Sequence, residues 1–470
     1  MREAGTRTAS TMATHPWREA LREGLSRARA LGRPVVVAHR ERLRDAPDLL
    51  ELFAAAEARG QRRFLASRPQ DGFALLGLGV TSEIVSLAAE PFADVSERAR
   101  VLLHEADAGA LLLGGFAFAP RALADRDPAW RSRANARFTL PALLLTRRAS
   151  EAWLTRITRV HPADDEEELA CRSQTRAIAL LEKARPERAD RVHLQASRDP
   201  GQTQLYLDAA AELIAAIQRG EAEKVVLARV EQLRLTGALP TVSVLRRLWE
   251  SHPTAFIFAD GIAHDTFLGA TPEGLIRRTG AELVASAVAG TVARGDTKPA
   301  TARLASKLRR SPKERAEHGF VVHAIEETLS GLCRELEVPR EPRPVDTGTL
   351  QHLHTLIRGQ LLRPTHVLEL VSRLHPTPAV GGTPTSRALE LIGKHEHFDR
   401  GGYAGPIGYF DASGDGEFVV ALRCGLFCHD EVRLFAGAGL VAESHPESEA
   451  AETLLKFRTL RAALEAACNG

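Results

Sequence analysis

Residues 436–456 read Ala-Gly-Ala-Gly-Leu-Val-Ala-Glu-Ser-His-Pro-Glu-Ser-Glu-Ala-Ala-Glu-Thr-Leu-Leu-Lys. The pattern predicts a glycine-rich turn that leads directly into a helix. On that helix Glu449, Glu452 and Lys456 are spaced i, i+3 and i+7, so they share one face. The opposite face, with Leu454 and Leu460, is predicted to pack against a core. Two carboxylates one turn apart suit a divalent cation, but the same spacing is also typical of an exposed charged helix.

A second acidic helix is predicted from Ser311-Pro-Lys-Glu-Arg-Ala-Glu-His, residues 311–318. Ser311 followed by Pro312 is typical of a helix start, and Glu314 and Glu317 then lie one turn apart. Four carboxylates from two helices would repel one another unless a cation lay among them. Mg²⁺ prefers oxygen ligands and leaves room for an anionic substrate. At this point two interpretations are open: a shared metal site, or two unrelated acidic helix faces.

Composition indicates a soluble globular protein. The chain has 470 residues, of which 44% are hydrophobic and 26% charged, and its net charge of +2 gives no sign of nucleic-acid binding. No apolar stretch approaches the roughly 18 residues that would span a membrane, and the N-terminus lacks the apolar segment of a secretory signal. Five sparsely placed cysteines are typical of a reduced protein. We therefore expect a cytoplasmic monomer with no membrane or nucleic-acid partner.

The order of predicted elements favours an α+β fold. Strands are mostly joined by hairpins rather than alternating regularly with helices, which is typical of large antiparallel sheets packed against helices. We expect residues 1–155 to supply an N-terminal half of the fold and residues 156–202 to be a charged connecting segment. Residues 203–466 are predicted to form the catalytic region.

Four predicted elements surround the candidate residues. Helices are predicted over residues 313–335 and 366–374, and single strands over residues 403–411 and 417–427.

Two residues are candidates for acid and base chemistry. Lys224 begins the apolar strand Lys-Val-Val-Leu-Ala-Arg, where loss of water would lower the pKa of a lysine and allow it to act as a base. Glu273 follows a strand in Gly-Ala-Thr-Pro-Glu-Gly, where apolar walls would suit a general acid. Each also has an ordinary structural explanation, as a lysine reaching solvent and as a glutamate at a helix start.

Three further residues are candidates for binding an anion. Arg423 lies in a predicted apolar strand, and a buried arginine needs an anionic partner from the protein or a substrate. Tyr403 could donate its hydroxyl to the same anion or simply pack. His352 in Gln-His-Leu is more often a core histidine than a catalytic one.

Short motifs follow one another in a fixed order from about residue 203 to 460. They are Lys-Val-Val-Leu-Ala-Arg at 224–229, Gly-Ala-Thr-Pro-Glu at 269–273, Ala-Gly-Thr at 289–291, Ser-Pro-Lys-Glu-Arg-Ala-Glu-His at 311–318, Gln-His-Leu at 351–353, His-Pro-Thr-Pro-Ala-Val-Gly-Gly at 375–382, Tyr-Ala-Gly-Pro at 403–406, Ala-Leu-Arg at 421–423 and the block at 436–453. Together they resemble the chorismate-utilising enzymes, specifically the isochorismate synthase branch. Residues before 155 resemble the family more weakly.

The resemblance implies a magnesium site. Glu317 and Glu452 would be the principal Mg²⁺ ligands, with Glu314 and Glu449 completing the acidic cage, partly through water. The metal would hold the ring carboxylate of the substrate chorismate. Glu314 stands where aspartate is common in the family, a small departure.

The resemblance also implies roles in catalysis. Lys224 would deprotonate a water that attacks C2 of the ring, and Glu273 would protonate the departing C4 hydroxyl. The implied substrate-binding residues are Thr291, His352, Tyr403, Arg423, Gly437, Gly439 and Lys456.

The resemblance implies an isomerase that converts chorismate to isochorismate for menaquinone or siderophore biosynthesis. The resemblance also sets this chain apart from other members of the family. Members that add ammonia have glutamine at the position of Lys224, and aminodeoxychorismate synthases have a nucleophilic lysine at the position of Ala289. Two alternatives stay open. Salicylate synthases share the counterparts of Lys224 and Glu273 and add a pyruvate elimination, and a catalytically inactive chorismate-binding protein would keep the same residues without turnover.

Overall fold

The computed structural model describes residues 15–182, 193–196, 200–237, 239–348 and 350–469. The helices are α1 (His15–Leu31), α2 (Leu49–Ala58), α3 (Pro91–Leu103), α4 (Glu166–Leu181), α5 (Pro200–Gln218), α6 (Thr241–Ser251), α7 (Lys298–Arg310), α8 (Pro312–Ser330), α9 (Val367–Leu374), α10 (Thr385–His395) and α11 (Pro446–Asn469). The strands are β1 (Val35–Leu43), β2 (Arg63–Arg68), β3 (Phe73–Leu78), β4 (Ser82–Ser86), β5 (Leu111–Phe116), β6 (Ala136–Leu140), β7 (Leu143–Arg148), β8 (Glu151–Val160), β9 (His193–Ala196), β10 (Lys224–Thr236), β11 (Phe256–Ile262), β12 (Asp265–Thr271), β13 (Gly274–Thr279), β14 (Glu282–Ala293), β15 (Cys333–Glu337), β16 (Arg343–Asp346), β17 (Leu350–Leu361), β18 (Gly382–Thr383), β19 (Pro406–Asp411), β20 (Gly416–Val420), β21 (Cys424–Cys428) and β22 (Glu431–Leu440).

The strands form two large antiparallel sheets. The first runs β1-β8-β7-β3-β2-β11-β12-β21-β22-β10-β18, with β9 beside β10. The second runs β15-β17-β14-β13-β20-β19-β5-β6-β4, with β16 beside β17. Both sheets combine strands from before residue 155 with strands from after residue 203. The predicted α+β fold is confirmed.

One core is shared by the two sheets. Phe258 and Phe267 of the first sheet and Phe138 and Phe418 of the second belong to the same buried cluster. Each such side chain stabilises the fold by roughly 1.5–3 kcal/mol relative to an exposed position. A second buried cluster joins the first sheet to helices α2, α6 and α11. The sheets therefore have a rigid inner layer, and the candidate residues lie at strand and helix ends around it.

The helix predicted over residues 313–335 is shorter than expected. Helix α8 ends at Ser330, and Gly331 follows, with its N–H donating to the carbonyl of Leu329. Residues 333–337 instead form β15, which pairs with β17. A glycine at the helix end and an alternating pattern after it explain the difference.

The single strand predicted over residues 417–427 is wrong. The chain forms β20 in the second sheet and β21 in the first, and Arg423 lies between them with a φ of +50°. This left-handed conformation turns the chain from one sheet to the other. Similarly, the strand predicted to begin at Tyr403 begins at Pro406, and Tyr403 lies in the preceding turn, where its N–H donates to the carbonyl of Arg400.

Two predictions about residues 436–456 also need correction. Gly437 and Gly439 lie within β22, paired with Ala228 and Val226 of β10, rather than in a turn. Leu454 is 55% exposed, because the buried side of α11 follows Thr453 and Phe457 instead; Leu460 is buried as predicted.

The charged segment 156–202 carries regular structure in its described residues. Strand β8 continues to Val160, and α4 begins after Asp165, whose side chain accepts from the N–H groups of Glu167 and Glu168. The described part of the chain contains no helix long and apolar enough to cross a membrane.

Candidate active site

Two helices bring four glutamates to the end of the first sheet. Ser311 caps α8, where its hydroxyl accepts from the N–H of Glu314 at 3.4 Å, as the sequence predicts. Each helix carries its i, i+3 pair on one face, and Lys313 of α8 contacts Glu449 of α11, so the two pairs face the same region. Besides burial, the negative charges of Glu317 and Glu452 raise the pKa of Glu314, so the carboxylates of the two helices lie close enough to interact.

Each of the four carboxylates has a donor of its own. Glu317 accepts from Lys224 Nζ at 2.9 Å, and Glu452 pairs with Lys456 Nζ at 2.7 Å. The backbone N–H of Thr291 donates to Glu314 at 3.1 Å.

The fourth carboxylate, Glu449, is held by two donors. It is buried and accepts from Lys313 Nζ at 3.0 Å and from the Ser444 hydroxyl at 2.8 Å. These contacts hold negative charge in a site that lies partly out of water.

The pKa shifts of these glutamates reflect burial and mutual repulsion. Burial and then the charges of Glu317 and Glu452 raise the pKa of Glu314, and burial and then Glu452 raise that of Glu449. Burial also disfavours ionisation of Glu317, but the ammonium groups around it, led by Lys224, outweigh this effect and lower its pKa. Added positive charge would therefore be favoured in this cage.

The donor set fits a hard cation bound by few direct ligands. Three side chains whose metal-ligating atoms lie within 4.8 Å of one another occur once in the described part of the chain. They are Asp265, Cys428 and His429, which lie outside this site. The cage glutamates are thus spaced more widely than a site with three direct carboxylates requires. Mg²⁺ usually binds one or two carboxylates and keeps several waters, which suits this spacing.

Lys224 and the glycines of β22 pack tightly beside the cage. Lys224 is fully buried at the first position of β10. A Cβ atom at Gly439 would lie 2.7 Å from Glu317 Oε1 and 2.8 Å from Lys224 Cε, so a larger residue there would displace one of these two side chains. A Cβ atom at Gly437 would lie 3.0 Å from the Tyr403 hydroxyl. Lys456 Nζ also donates to the Gly437 carbonyl at 2.7 Å, which ties α11 to this strand.

Glu273 occupies a different environment from the cage glutamates. It is buried just before β13, and its nearest side-chain donor is the Thr377 hydroxyl at 3.5 Å. Burial raises the pKa of Glu273 to about 7, opposed by the positive charges of Arg423 and Lys224. A carboxyl with such a pKa is protonated in a large fraction of molecules at neutral pH, as a general acid requires.

Arg423, His352 and Thr291 form a hydrogen-bonded chain. Arg423 Nη2 donates to His352 Nε2 at 3.2 Å, and His352 Nδ1 lies 3.2 Å from both the Gly290 carbonyl and the Thr291 hydroxyl. Because a guanidinium can only donate, Nε2 accepts and Nδ1 carries the proton. Burial and then the charge of Arg423 lower the pKa of His352 well below its ordinary value, which agrees with a neutral ring.

The structure connects all of the predicted site residues through these contacts or through the charges that shift the pKa of Glu273. It also adds Lys313, Ser444 and Thr377, which the sequence analysis left without a role. Lys313 and Thr377 lie inside the motifs at 311–318 and 375–382, so the sequence could have suggested that they belong to the site. For Ser444 the only indication in the sequence is a hydroxyl just before α11.

Comparisons with known proteins show which family the chain resembles. A family model described as chorismate binding enzyme matches residues 23–465. The salicylate biosynthesis isochorismate synthase of Pseudomonas aeruginosa is 35% identical over 460 residues, which cover 96% of this chain and 95% of that protein. The isochorismate synthase MenF of Bacillus subtilis is 31% identical, covering 97% of this chain and 98% of its own. The structure of the menaquinone-specific isochorismate synthase MenF from Escherichia coli superposes with a TM-score of 0.78 at 26% identity, over 95% of this chain and all of that one.

The chain belongs to the family of chorismate-binding enzymes. The curated relatives quoted above are named isochorismate synthases, so the resemblance to that branch is confirmed.

Proposed function

We propose that this protein catalyses the reversible, Mg²⁺-dependent conversion of chorismate to isochorismate. The observation that carries the proposal is the pairing of two buried groups of opposite character at one site. Lys224 is an amine without solvent contact, and Glu273 is a carboxyl whose pKa of about 7 lets it carry a proton. A substitution that adds water at one carbon and expels a hydroxyl from another needs one base and one acid of this kind.

Glu317 and Glu452 would hold the metal directly, and Glu314 and Glu449 would complete its surroundings through water. When bound there, Mg²⁺ would neutralise part of the acidic cage and offer positive charge to the ring carboxylate of chorismate. The negative charges of Glu317 and Glu452 raise the pKa of Glu314, and that of Glu452 raises the pKa of Glu449, which supports this assignment.

Arg423 and Tyr403 would bind the second carboxylate of chorismate, on the enolpyruvyl group. Arg423 is held in place by its contact with His352, and Tyr403 by stacking on Phe435 with ring centroids 5.4 Å apart. A guanidinium and a hydroxyl both donate, so they match a carboxylate. Lys456, the amides near Gly437 and Gly439, and Thr291 would line the rest of the same surface.

In its neutral amine form, reached once the ammonium group paired with Glu317 has lost a proton, Lys224 would take a proton from a water molecule while the water oxygen forms a bond to C2. The ring double bonds shift as the C4–oxygen bond breaks, and Glu273 would give its proton to the departing hydroxyl, which leaves as water. Atoms balance because one water is added and one is released, and each group regains its starting state when protons exchange with solvent. The reverse reaction uses the same two groups in exchanged roles.

A product analysis tests the proposal. Purified protein is incubated with chorismate and Mg²⁺, and the products are separated by chromatography, with a sample containing a chelator as the control. The proposal predicts isochorismate in equilibrium with chorismate, and little conversion with the chelator. Salicylate with pyruvate would assign the protein to the salicylate synthase branch, and unchanged chorismate would favour a binding protein.

A further inference from the structure

A small cavity lies between the two sheets, behind the turn that carries Tyr403. Its volume is about 30 Å³, and Gly402 forms part of its wall. Phe267 of the first sheet and Ile407 of the second line it, together with three arginines and one acid. These charged residues are Arg126, Arg133, Arg137 and Asp260. No residue of the proposed active site lines this cavity, so it needs a separate explanation.

The guanidinium of Arg126 is incompletely hydrogen-bonded. Its side chain is fully buried, and Nη2 donates to the side-chain oxygen of Asn135. Its Nε and Nη1 atoms have no hydrogen-bond partner among the residues that the structure describes, and the nearest carboxylate, Asp399, lies 3.6 Å from Nη1. A buried donor left in this way costs about 1–3 kcal/mol, so such groups normally have a ligand or water beside them.

Arg133 repeats the pattern on the same cavity. Its Nη2 donates to the backbone carbonyl of Asp260 at 2.6 Å, while Nε has no hydrogen-bond partner within the described chain. The carboxylate of Asp260 lies 3.6 Å from that Nε. Two arginines that line one cavity therefore have free N–H groups.

The carboxylates nearby are already used by other arginines. Asp260 accepts from Arg62, and the guanidinium of Arg137 donates to Glu83 at 2.6 Å. Burial lowers the pKa of Arg133 to about 10 although the charge of Asp260 opposes the shift, and burial lowers that of Arg126 as well. Arg62, Arg126, Arg133 and Arg137 thus share three carboxylates, those of Asp260, Asp399 and Glu83, which leaves a surplus of one positive charge around the cavity.

We propose that this cavity binds one small monovalent anion, of the chloride type. Its volume of about 30 Å³ exceeds the roughly 10–15 Å³ that a single water needs, and the single surplus positive charge around it suits a monovalent anion. A water could satisfy the free N–H groups, but only an anion also offsets the excess positive charge. The site is independent of the proposed reaction.

The anion would act as a structural ligand. It would tie the 126–137 segment to the strands on either side of the cavity. Trp130 of this segment packs on Phe267 and Phe435, with ring centroids 5.2 and 5.7 Å away, and Phe435 stacks on Tyr403. Occupancy should therefore stabilise the folded protein.

The direct test is crystallographic and uses the intact wild-type chain. Crystals grown or soaked in sodium bromide are measured at the bromine absorption edge. The proposal predicts an anomalous peak in the cavity between Arg126 and Arg133. A cavity with ordinary water density and no anomalous peak would overturn it.

A thermal measurement with matched variants tests the same site in solution. The Tm of the wild-type protein in chloride should exceed that in gluconate, an anion too large to enter, by about 2 °C or more at equal ionic strength. Arg126→Met should abolish this difference. Arg121→Met is the control, because Arg121 also lies 3.6 Å from Asp399 but is 38% exposed and does not line the cavity. Equal Tm values in both salts for the wild type would contradict the proposal, and if Arg126→Met does not fold, the bromide map decides.

Discussion

The cage glutamates and Glu273 are the same residue type in one site, with opposite surroundings. Glu317 and Glu452 each have an ammonium group within 2.9 Å, whereas the closest side-chain donor to Glu273 is a hydroxyl at 3.5 Å. The pKa of Glu317 is lowered and that of Glu273 is raised, although loss of solvent disfavours ionisation of both. Burial alone therefore does not decide the charge of a carboxyl in this site; the balance of the neighbouring charges does, since Glu449 contacts Lys313 and still has a pKa raised by burial and by the charge of Glu452.

This difference assigns separate tasks to the two regions. The cage holds negative charge that attracts a metal, and Glu273 holds a proton that can be given away. Lys224 lies between them, since it pairs with Glu317 and its charge lowers the pKa of Glu273. Substitutions can therefore separate proton transfer from metal binding.

The largest effect is expected for Lys224→Ala. Without the amine, the attacking water loses its proposed base, so kcat should fall by about 10³-fold or more. Chorismate binding, measured by titration calorimetry, should change far less. Lys394→Ala, at an exposed position in the last turn of α10, is the matched control and should keep wild-type activity. Retained turnover in Lys224→Ala would remove this residue from the role of base.

Glu273→Gln should lower kcat by about 10²–10³-fold, because glutamine fills the same volume but cannot donate a carboxyl proton. In the wild type, kcat/KM should fall as the pH rises above about 7, as Glu273 loses its proton. The variant should lack this limb of the pH profile. An unchanged profile would show that another group limits the rate at high pH.

Glu452→Gln tests the cage without touching the acid. Loss of one direct carboxylate should weaken Mg²⁺ binding by about 10–100-fold, and activity should fall with it at low metal concentration. The measurement is calorimetric titration of Mg²⁺ into the variant. Glu465→Gln on the same helix is the control, since Glu465 is half-exposed and pairs with Arg461. Normal affinity in Glu452→Gln would exclude this residue as a ligand.

The contrast in pKa should also appear in stability. The folded protein holds the proton of Glu273 more tightly than the unfolded chain does, because its pKa is about 7 rather than 4.5. Stability from this group is therefore full below about pH 4.5 and is lost as the pH rises through about 7. Relative to Glu273→Gln, the wild type should lose on the order of 1–3 kcal/mol across this range, measured by denaturant unfolding. Parallel curves for the two proteins would contradict the raised pKa.

The acidic cage could be predicted from sequence because helical spacing is local. An i, i+3 pair fixes the shared face of Glu314 and Glu317 whatever the rest of the fold does, and the Ser311 cap fixes where α8 begins. Lys313 and Glu449 are 136 positions apart in the chain, and helical spacing predicts only contacts between residues of one helix. The discovery of this contact required the structure.

Residues 417–427 show where a local sequence pattern fails to predict the fold. Residues 417–427 alternate as one strand would, and nothing in the sequence marks the left-handed Arg423 at which the chain changes sheets. The prediction for Leu454 is wrong for a related reason: the inner side of α11 runs through Thr453, Phe457 and Leu460, and Leu454 lies outside it. The spacing of apolar residues predicts the buried face of a helix only when the helix packs against a single neighbouring element.

The smallest effect is expected for Gly437→Ala, which tests whether the anion-binding surface is separable from both the cage and Glu273. The new methyl group would lie 3.0 Å from the Tyr403 hydroxyl and 3.1 Å from the Leu227 carbonyl, so the tyrosine must shift by a few tenths of an ångström. We expect KM for chorismate to rise several-fold, about 1 kcal/mol in binding, while kcat and Mg²⁺ affinity stay within about twofold. Gly393→Ala is the control, because a Cβ atom there meets nothing within 4 Å and alanine favours the helix. A fall in kcat that matches the rise in KM would instead mean that Tyr403 and the acid–base pair act as one unit.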